Sequence, residues 1–150
     1  MTLRTPSKRP NLPRSATKPK KKGKSISKLK KDLDAVFSKF IRERDQGQCY
    51  TCPKKGEIKE MQNGHFVPRQ YLATRYDEVN CHCQCYACNM LYNGQPSRYA
   101  ERLEIDYGIG TVARLEKLRH RIDKLTPLFY EEEIKRYQQL LAGHTTEQKG

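Results

Sequence analysis

Apolar residues first recur at helical spacing at Leu29, Leu33, Val36, Phe37, Phe40 and Ile41, which predicts an N-terminal helix with one buried stripe. Ser27 stands where a side chain can cap its start, and Gly47 where it would stop. From Gly56 to Gln84 the pattern shortens and is broken by Gly64, Pro68 and Asp77-Glu78. Two strands joined by a loop are expected there, with His65 near the end of the first. Beyond Cys85 the chain reads as helical again. A short helix runs to about Gly94, a second opens at Pro96 and carries Tyr99 and Leu103, and a third is capped by Thr111. That third helix has Val112, Leu115, Leu118 and Ile122 as its stripe. Thr126-Pro127 with Glu131 to Glu133 opens a last helix through Leu141, with Gly143 as its stop. The predicted class is α+β.

Before the first helix the periodicity vanishes. Met1 to about Ser25 repeats Pro, Ser, Lys and Arg with almost nothing to bury, so residues 1–26 are read as a disordered basic tail. Residues 27–143 form the predicted domain and 144–150 a flexible C-terminus, an organisation that suits a chain of 150 residues.

Charge narrows the partners. Thirty Lys and Arg against seventeen Asp and Glu leave a net charge of +13, which points to a polyanion, nucleic acid above all. In the tail, Lys18, Lys20, Lys21 and Lys22 would neutralise phosphates without reading sequence, making affinity salt-dependent. No apolar run approaches the roughly 20 residues that span a bilayer, and no hydrophobic segment follows the charged start. No membrane partner and a cytoplasmic location are therefore expected.

A reducing compartment changes how the six cysteines are read. Cys49-x-x-Cys52 and Cys85-x-x-Cys88 have the spacing of two knuckles that together supply four thiolates to a structural Zn2+. Cys81 and Cys83 alternate with Cys85 along a strand but lack a C-x-x-C partner, and are read as buried thiols. The same alternation sends His82 and Gln84 to the other face, where His65 is expected to converge with His82. Asn89 and Asn93, four apart on the following helix, would stack on one side and offer amide oxygens to Mg2+ or Mn2+.

Gly64-His65-Phe66-Val67-Pro68-Arg69 and Asn80-Cys81-His82-Cys83-Gln84-Cys85-Tyr86-Ala87-Cys88-Asn89 together resemble the signatures of the HNH, or ββα-metal, nucleases. Within them the chain is most similar to the phage NinG (Rap) recombination nucleases. The likeness continues through Asn93-Gly94, Tyr99, Leu103, Tyr107-Gly108 and the C-terminal helices. It implies a small zinc-braced ββα-metal core with helices before and after it, and a metal-dependent endonuclease that cuts branched DNA such as a Holliday junction or D-loop. It also implies His65 as general base, Asn80 as the residue fixing the loop between the strands, and Asn89 as a ligand of the catalytic cation. Symmetric cutting of a junction would favour a homodimer.

The chain departs from the wider HNH pattern at Gly64, where many members place an acidic metal ligand. His82 ranks first as its replacement; Asn63, Asn93 or Glu60 would serve if the strand register differs by one residue. Arg69 and Arg75, between the strands, are candidates to grip phosphates. Tyr50, Tyr71, Tyr76 and Tyr86 are either base-stacking rings or core. The rival reading is a zinc-stabilised DNA-binding protein with no catalysis. A third, an HNH enzyme nicking duplex DNA at a defined sequence, would need base-reading contacts that the sequence does not display.

Overall fold

A computed structural model describes the chain from residue 23 to residue 147. The lysines proposed to bind phosphate, Lys18, Lys20, Lys21 and Lys22, lie outside the described residues. The elements run in the order α1 (Ile26–Arg44), β1 (Gln62–His65), α2 (Leu72–Arg75), β2 (Cys81–Gln84), a wide π-helical turn (Ala87–Leu91), α3 (Pro96–Tyr107), α4 (Thr111–Arg119) and α5 (Pro127–Glu147). The structure is thus helix-rich around one two-stranded antiparallel sheet.

Helix α1 forms for the predicted reason: Leu29, Leu33, Phe37, Phe40 and Ile41 fall on one face and are buried. Its cap is Ser25, two residues earlier than Ser27, with Oγ accepting from the Lys28 amide at 3.3 Å. The helix ends at Arg44, and Gly47 follows with φ of +70°. A side chain there would meet the Gly56 carbonyl at 2.3 Å, so the reversal into the first knuckle requires glycine. The stripe packs on α5 through Tyr130 and Tyr137, with Phe37 edge-on to Tyr137 at 5.0 Å.

A second core lies on the other side of the sheet, where Tyr50, Val67, Tyr99, Leu103 and Leu115 come together. The Tyr99 hydroxyl is shared between the carbonyls of Gly64 (3.1 Å) and Asn80 (3.2 Å), which fastens α3 to both strands. Helix α4 starts at Thr111 behind Gly110, and its first amides are met by Glu104, which accepts from Gly110 at 2.6 Å and Val112 at 2.9 Å. It stops at Arg119, so the predicted stripe is cut short. Ile122 lies beyond it and is exposed. At the C-terminus α5 continues through Gly143 to Glu147, correcting the stop predicted there. Gly143 meets no neighbour that would require a turn. No described helix is long and apolar enough to cross a membrane.

Candidate metal centre and histidine cavity

Each cysteine knuckle is built from a tight turn whose amides face sulfur. The first is closed by Cys49 N donating to Lys54 O at 2.8 Å, and Tyr50 N donates to Cys83 O at 2.8 Å, tying the turn to β2. The second follows β2 directly. Cys85 N donates to Cys49 Sγ at 3.3 Å and Cys88 N to Cys85 Sγ at 3.5 Å, stabilising the thiolate form that a metal needs. Burial raises the Cys49 pKa, but the amides of Cys85 and Thr51 outweigh it and bring the thiol down to about 7. The sulfurs of Cys49, Cys52, Cys85 and Cys88 all lie within 4.8 Å of one another, with Cys52 and Cys85 at 3.8 Å. Tetrahedral coordination with bonds of about 2.3 Å separates sulfurs by about 3.8 Å, so the four can hold a metal ion such as zinc.

Cys81 and Cys83 stay outside this group, as expected for buried thiols. Cys81 packs among the α1–α5 aromatics and Cys83 against Met61. Burial, helped by the Asp45 charge, pushes the Cys83 thiol up to about 12.

The strand register decides which side chains meet. His65 pairs with Cys81, Gly64 with His82, and Asn63 with Cys83. Cross-strand partners share a face, so His65 and Asn63 lie on the face of Cys81 and Cys83, and His82 lies on the other. The predicted convergence of His65 and His82 therefore fails. A shift of one residue in the pairing flips every side chain. His82 instead stacks on Tyr50 with rings 3.8 Å apart; its Nδ1 accepts from Arg44 at 3.0 Å and its Nε2 faces the Tyr107 hydroxyl at 3.3 Å. It has no nitrogen left for a cation, and Asp45 stands 3.5 Å away beside Nδ1.

The same register explains Gly64. It lies under the buried Gln84 side chain, and a Cβ there would stand 2.1 Å from Gln84 Oε1. Gln84 Nε2 donates to Thr51 Oγ1 at 2.9 Å and Gly94 O at 2.8 Å. An acidic ligand at position 64 has no room.

On the His65 face a cavity of about 420 Å³ opens between α1, β1 and the π turn, lined among others by Gln62, Asn63, His65, Arg69, Asn89 and Met90. His65 Nε2 sits 3.1 Å from the Arg75 carbonyl, which can only accept, so the proton rests on Nε2 and the lone pair on Nδ1. Burial lowers the His65 pKa, and the charges of Arg75 and Arg69 add to the effect, leaving the ring neutral at neutral pH. The loop above it is pinned by Asn80. Its Oδ1 accepts from Val67 N at 2.7 Å, and its Nδ2 donates to Val67 O and Thr74 O, each at 3.0 Å. Asn80 thus ties Val67 and Thr74 together in the loop between the strands.

Asn89 enters the cavity from the π turn, where Nδ2 donates to Gln62 Oε1 at 2.6 Å. Asn93 does not join it. The chain leaves the wide turn at Tyr92, and Asn93 is exposed with φ of +50°, so four-residue stacking is lost. Asn63 is among the residues lining the cavity, and its Oδ1 is buried with no hydrogen-bond partner among the described residues. Glu60 is exposed and lies outside the lining.

The two arginines divide. Arg69 is exposed, its side chain 3.6 Å from Asp34. Arg75 is buried and spent on the fold. It grips Asp34 through Nε (2.9 Å) and a terminal nitrogen (2.6 Å) and donates to Arg69 O at 2.6 Å. Asp34 was not foreseen; its place at the edge of the α1 stripe, one residue after Leu33, was the only signal.

The four tyrosines that could stack or pack divide. Tyr50 is buried, Tyr71 and Tyr76 pack against the second and first cores, and Tyr86 stands exposed.

A search of curated proteins and a search of solved structures each returned no match. A family model described as the bacteriophage lambda NinG protein matches residues 4–147. The match takes in both knuckles, the sheet, the π turn and all five α-helices, and on that span the chain belongs to the NinG family.

Proposed function

We propose that this protein is a metal-dependent DNA endonuclease of phage recombination that hydrolyses phosphodiesters in branched DNA, with an HNH-like centre braced by zinc. The observation that carries the reading is the His65 imidazole, neutral, oriented by the Arg75 carbonyl and set beside Asn89 in an open cavity. Family membership supports the recombination setting. The order strand, Asn80-pinned loop, strand and helical turn supports the ββα reading.

In this scheme Nδ1 of His65 takes the proton of the attacking water, as a base with a pKa below 6.5 can do at neutral pH. Arg69 steadies a neighbouring phosphate. Asn63 Oδ1 and the Asn89 amide would hold Mg2+ or Mn2+; when bound, the cation supplies positive charge to the phosphate and the leaving 3′ oxygen. The donors fit a hard cation in kind, being oxygens, but carry no charge, so binding would be weak until a phosphate joins.

One observation favours the rival, a zinc-stabilised DNA-binding protein without catalysis. The carboxylate in the cavity wall, Asp34, is engaged by Arg75 and Tyr76. Labelled four-way junction and linear duplex, incubated with and without Mg2+ or Mn2+, separate the readings. Cation-dependent cutting that falls about 100-fold or more in His65→Ala is expected. Tight binding by the wild type with no cutting under any cation would select the rival.

A further inference from the structure

The π turn presents apolar side chains outward that the fold does not use. Its inner side carries Cys88, buried at the metal centre, and its flank carries Asn89 in the cavity. On the outside, Tyr86, Met90, Leu91 and Tyr92 are 55–63% exposed. An i→i+5 winding sets residues four and five apart on one face, which joins Tyr86 to Met90 and Leu91. Among the described residues neither Tyr86 nor Tyr92 has a ring contact or a side-chain hydrogen bond, unlike Tyr50, Tyr76 and Tyr99, whose rings all pack. A cluster of large apolar side chains left in water beside a polar cavity marks a binding surface.

We infer that this face is a stacking platform for unpaired nucleobases, with Tyr86 the principal ring and Met90 the wedge between platform and cavity. The inference rests on the nucleic-acid part of the reading above and adds the structural feature of the substrate that is recognised. Three observations select bases over other occupants. Met90 is continuous with the cavity holding His65, Asn89 and Arg69, so a strand whose phosphate enters that cavity brings its neighbouring bases to the π turn. The +13 chain favours a polyanion over an acid-poor protein surface. Paired bases present no π-face to a protein ring, so the platform rewards only bases out of the stack. Binding beside the cut would then require locally open DNA, whatever its sequence.

The test is a binding measurement on full-length protein without added Mg2+ or Mn2+, using a duplex with a short unpaired bubble, with 2-aminopurine in the bubble, and the same duplex fully paired. Wild type is expected to prefer the bubble and to quench the probe. Tyr86→Ala should lose about 5- to 150-fold in affinity for the bubble, the range for one stacked base, with duplex affinity unchanged. Tyr86→Phe should retain the preference. Zinc content and circular dichroism of each variant control for a fold defect. Equal loss on both DNAs, or none, overturns the platform; so does a change of oligomeric state in Tyr86→Ala, which would make the face a contact between copies of the chain. Because no cleavage is read, selective binding by a protein that never cuts would sink the nuclease reading and leave this one standing.

Discussion

Gly64 and Gln84 are diagonal neighbours on one face of the sheet, so close that the Gln84 side chain fills the space a side chain on Gly64 would take. The carboxamide lies where a Cβ on Gly64 would stand, 2.1 Å from Oε1. Gly64→Ala is expected to destabilise the protein by about 1–3 kcal/mol through overpacking, read as a lower midpoint in urea with an unchanged slope. Gly64→Asp should be worse and should not tighten Mn2+ binding, because position 64 faces away from His65. Tighter Mn2+ binding by that variant would refute the register.

The metal centre makes a sharp division among six cysteines. Full-length protein should carry about one zinc per chain, and Cys85→Ser should lose both the metal and cooperative unfolding. Cys81→Ala and Cys83→Ala should keep the zinc, since neither sulfur is part of the cluster. Metal content by mass spectrometry under native conditions checks both.

Asn80 closes three hydrogen bonds to backbone groups in a buried loop. Asn80→Ala leaves them unpaired at about 1–3 kcal/mol for each one that water cannot reach, so a loss of at least about 3 kcal/mol is expected. Hydrogen exchange at Val67 should rise with it.

Arg69 and Arg75 should behave differently. Arg69→Ala is expected to lower DNA affinity for every sequence and reduce the salt slope by about one. Arg75→Ala should leave the salt slope alone and destabilise the fold by about 3–5 kcal/mol, because it strips a partner from Asp34 and uncaps the Arg69 carbonyl.

Acid should unfold the protein through Asp45. Burial opposes its ionisation, but the approach of His82 and the bonds and charge of Arg44 outweigh that and hold the carboxyl at about 2. A carboxyl lowered on folding contributes stability above its unfolded value near 3.9, lost as pH falls toward 2. The contribution is about 2 kcal/mol, and Asp45→Asn should abolish that part of the acid limb. His82 is lowered too, chiefly by burial, so its share is present above pH 6.5 and lost as pH drops below it. Stability measured by denaturant from pH 8 to 3 should therefore fall in two stages.

The chain by itself determined what depends on local rules. Spacing of apolar residues drew α1, α3 and the sheet; two C-x-x-C turns drew the metal centre, because a turn of four residues carries its own geometry. The Gly64-His65 and Asn80 to Asn89 segments stood out because each is a short contiguous motif. The basic composition pointed to a polyanion before any residue was placed.

Tertiary structure decided what depends on pairing between distant segments. Alternation along β2 separates odd from even residues but cannot say which set faces His65; that needs the register with β1, and the register puts Asn63, not His82, on the His65 face. The ends of α4 and α5 depart from the sequence pattern because a helix stops where its packing or its cap fails, as at Arg119, and continues where nothing opposes it, as at Gly143. Arginine in a loop reads as a hand for phosphate until a carboxylate on another element claims it, as Asp34 claims Arg75. Which tyrosines pack and which face water, Tyr50 or Tyr86, is fixed only when the cores close, since burial belongs to the assembled surface and not to the residue.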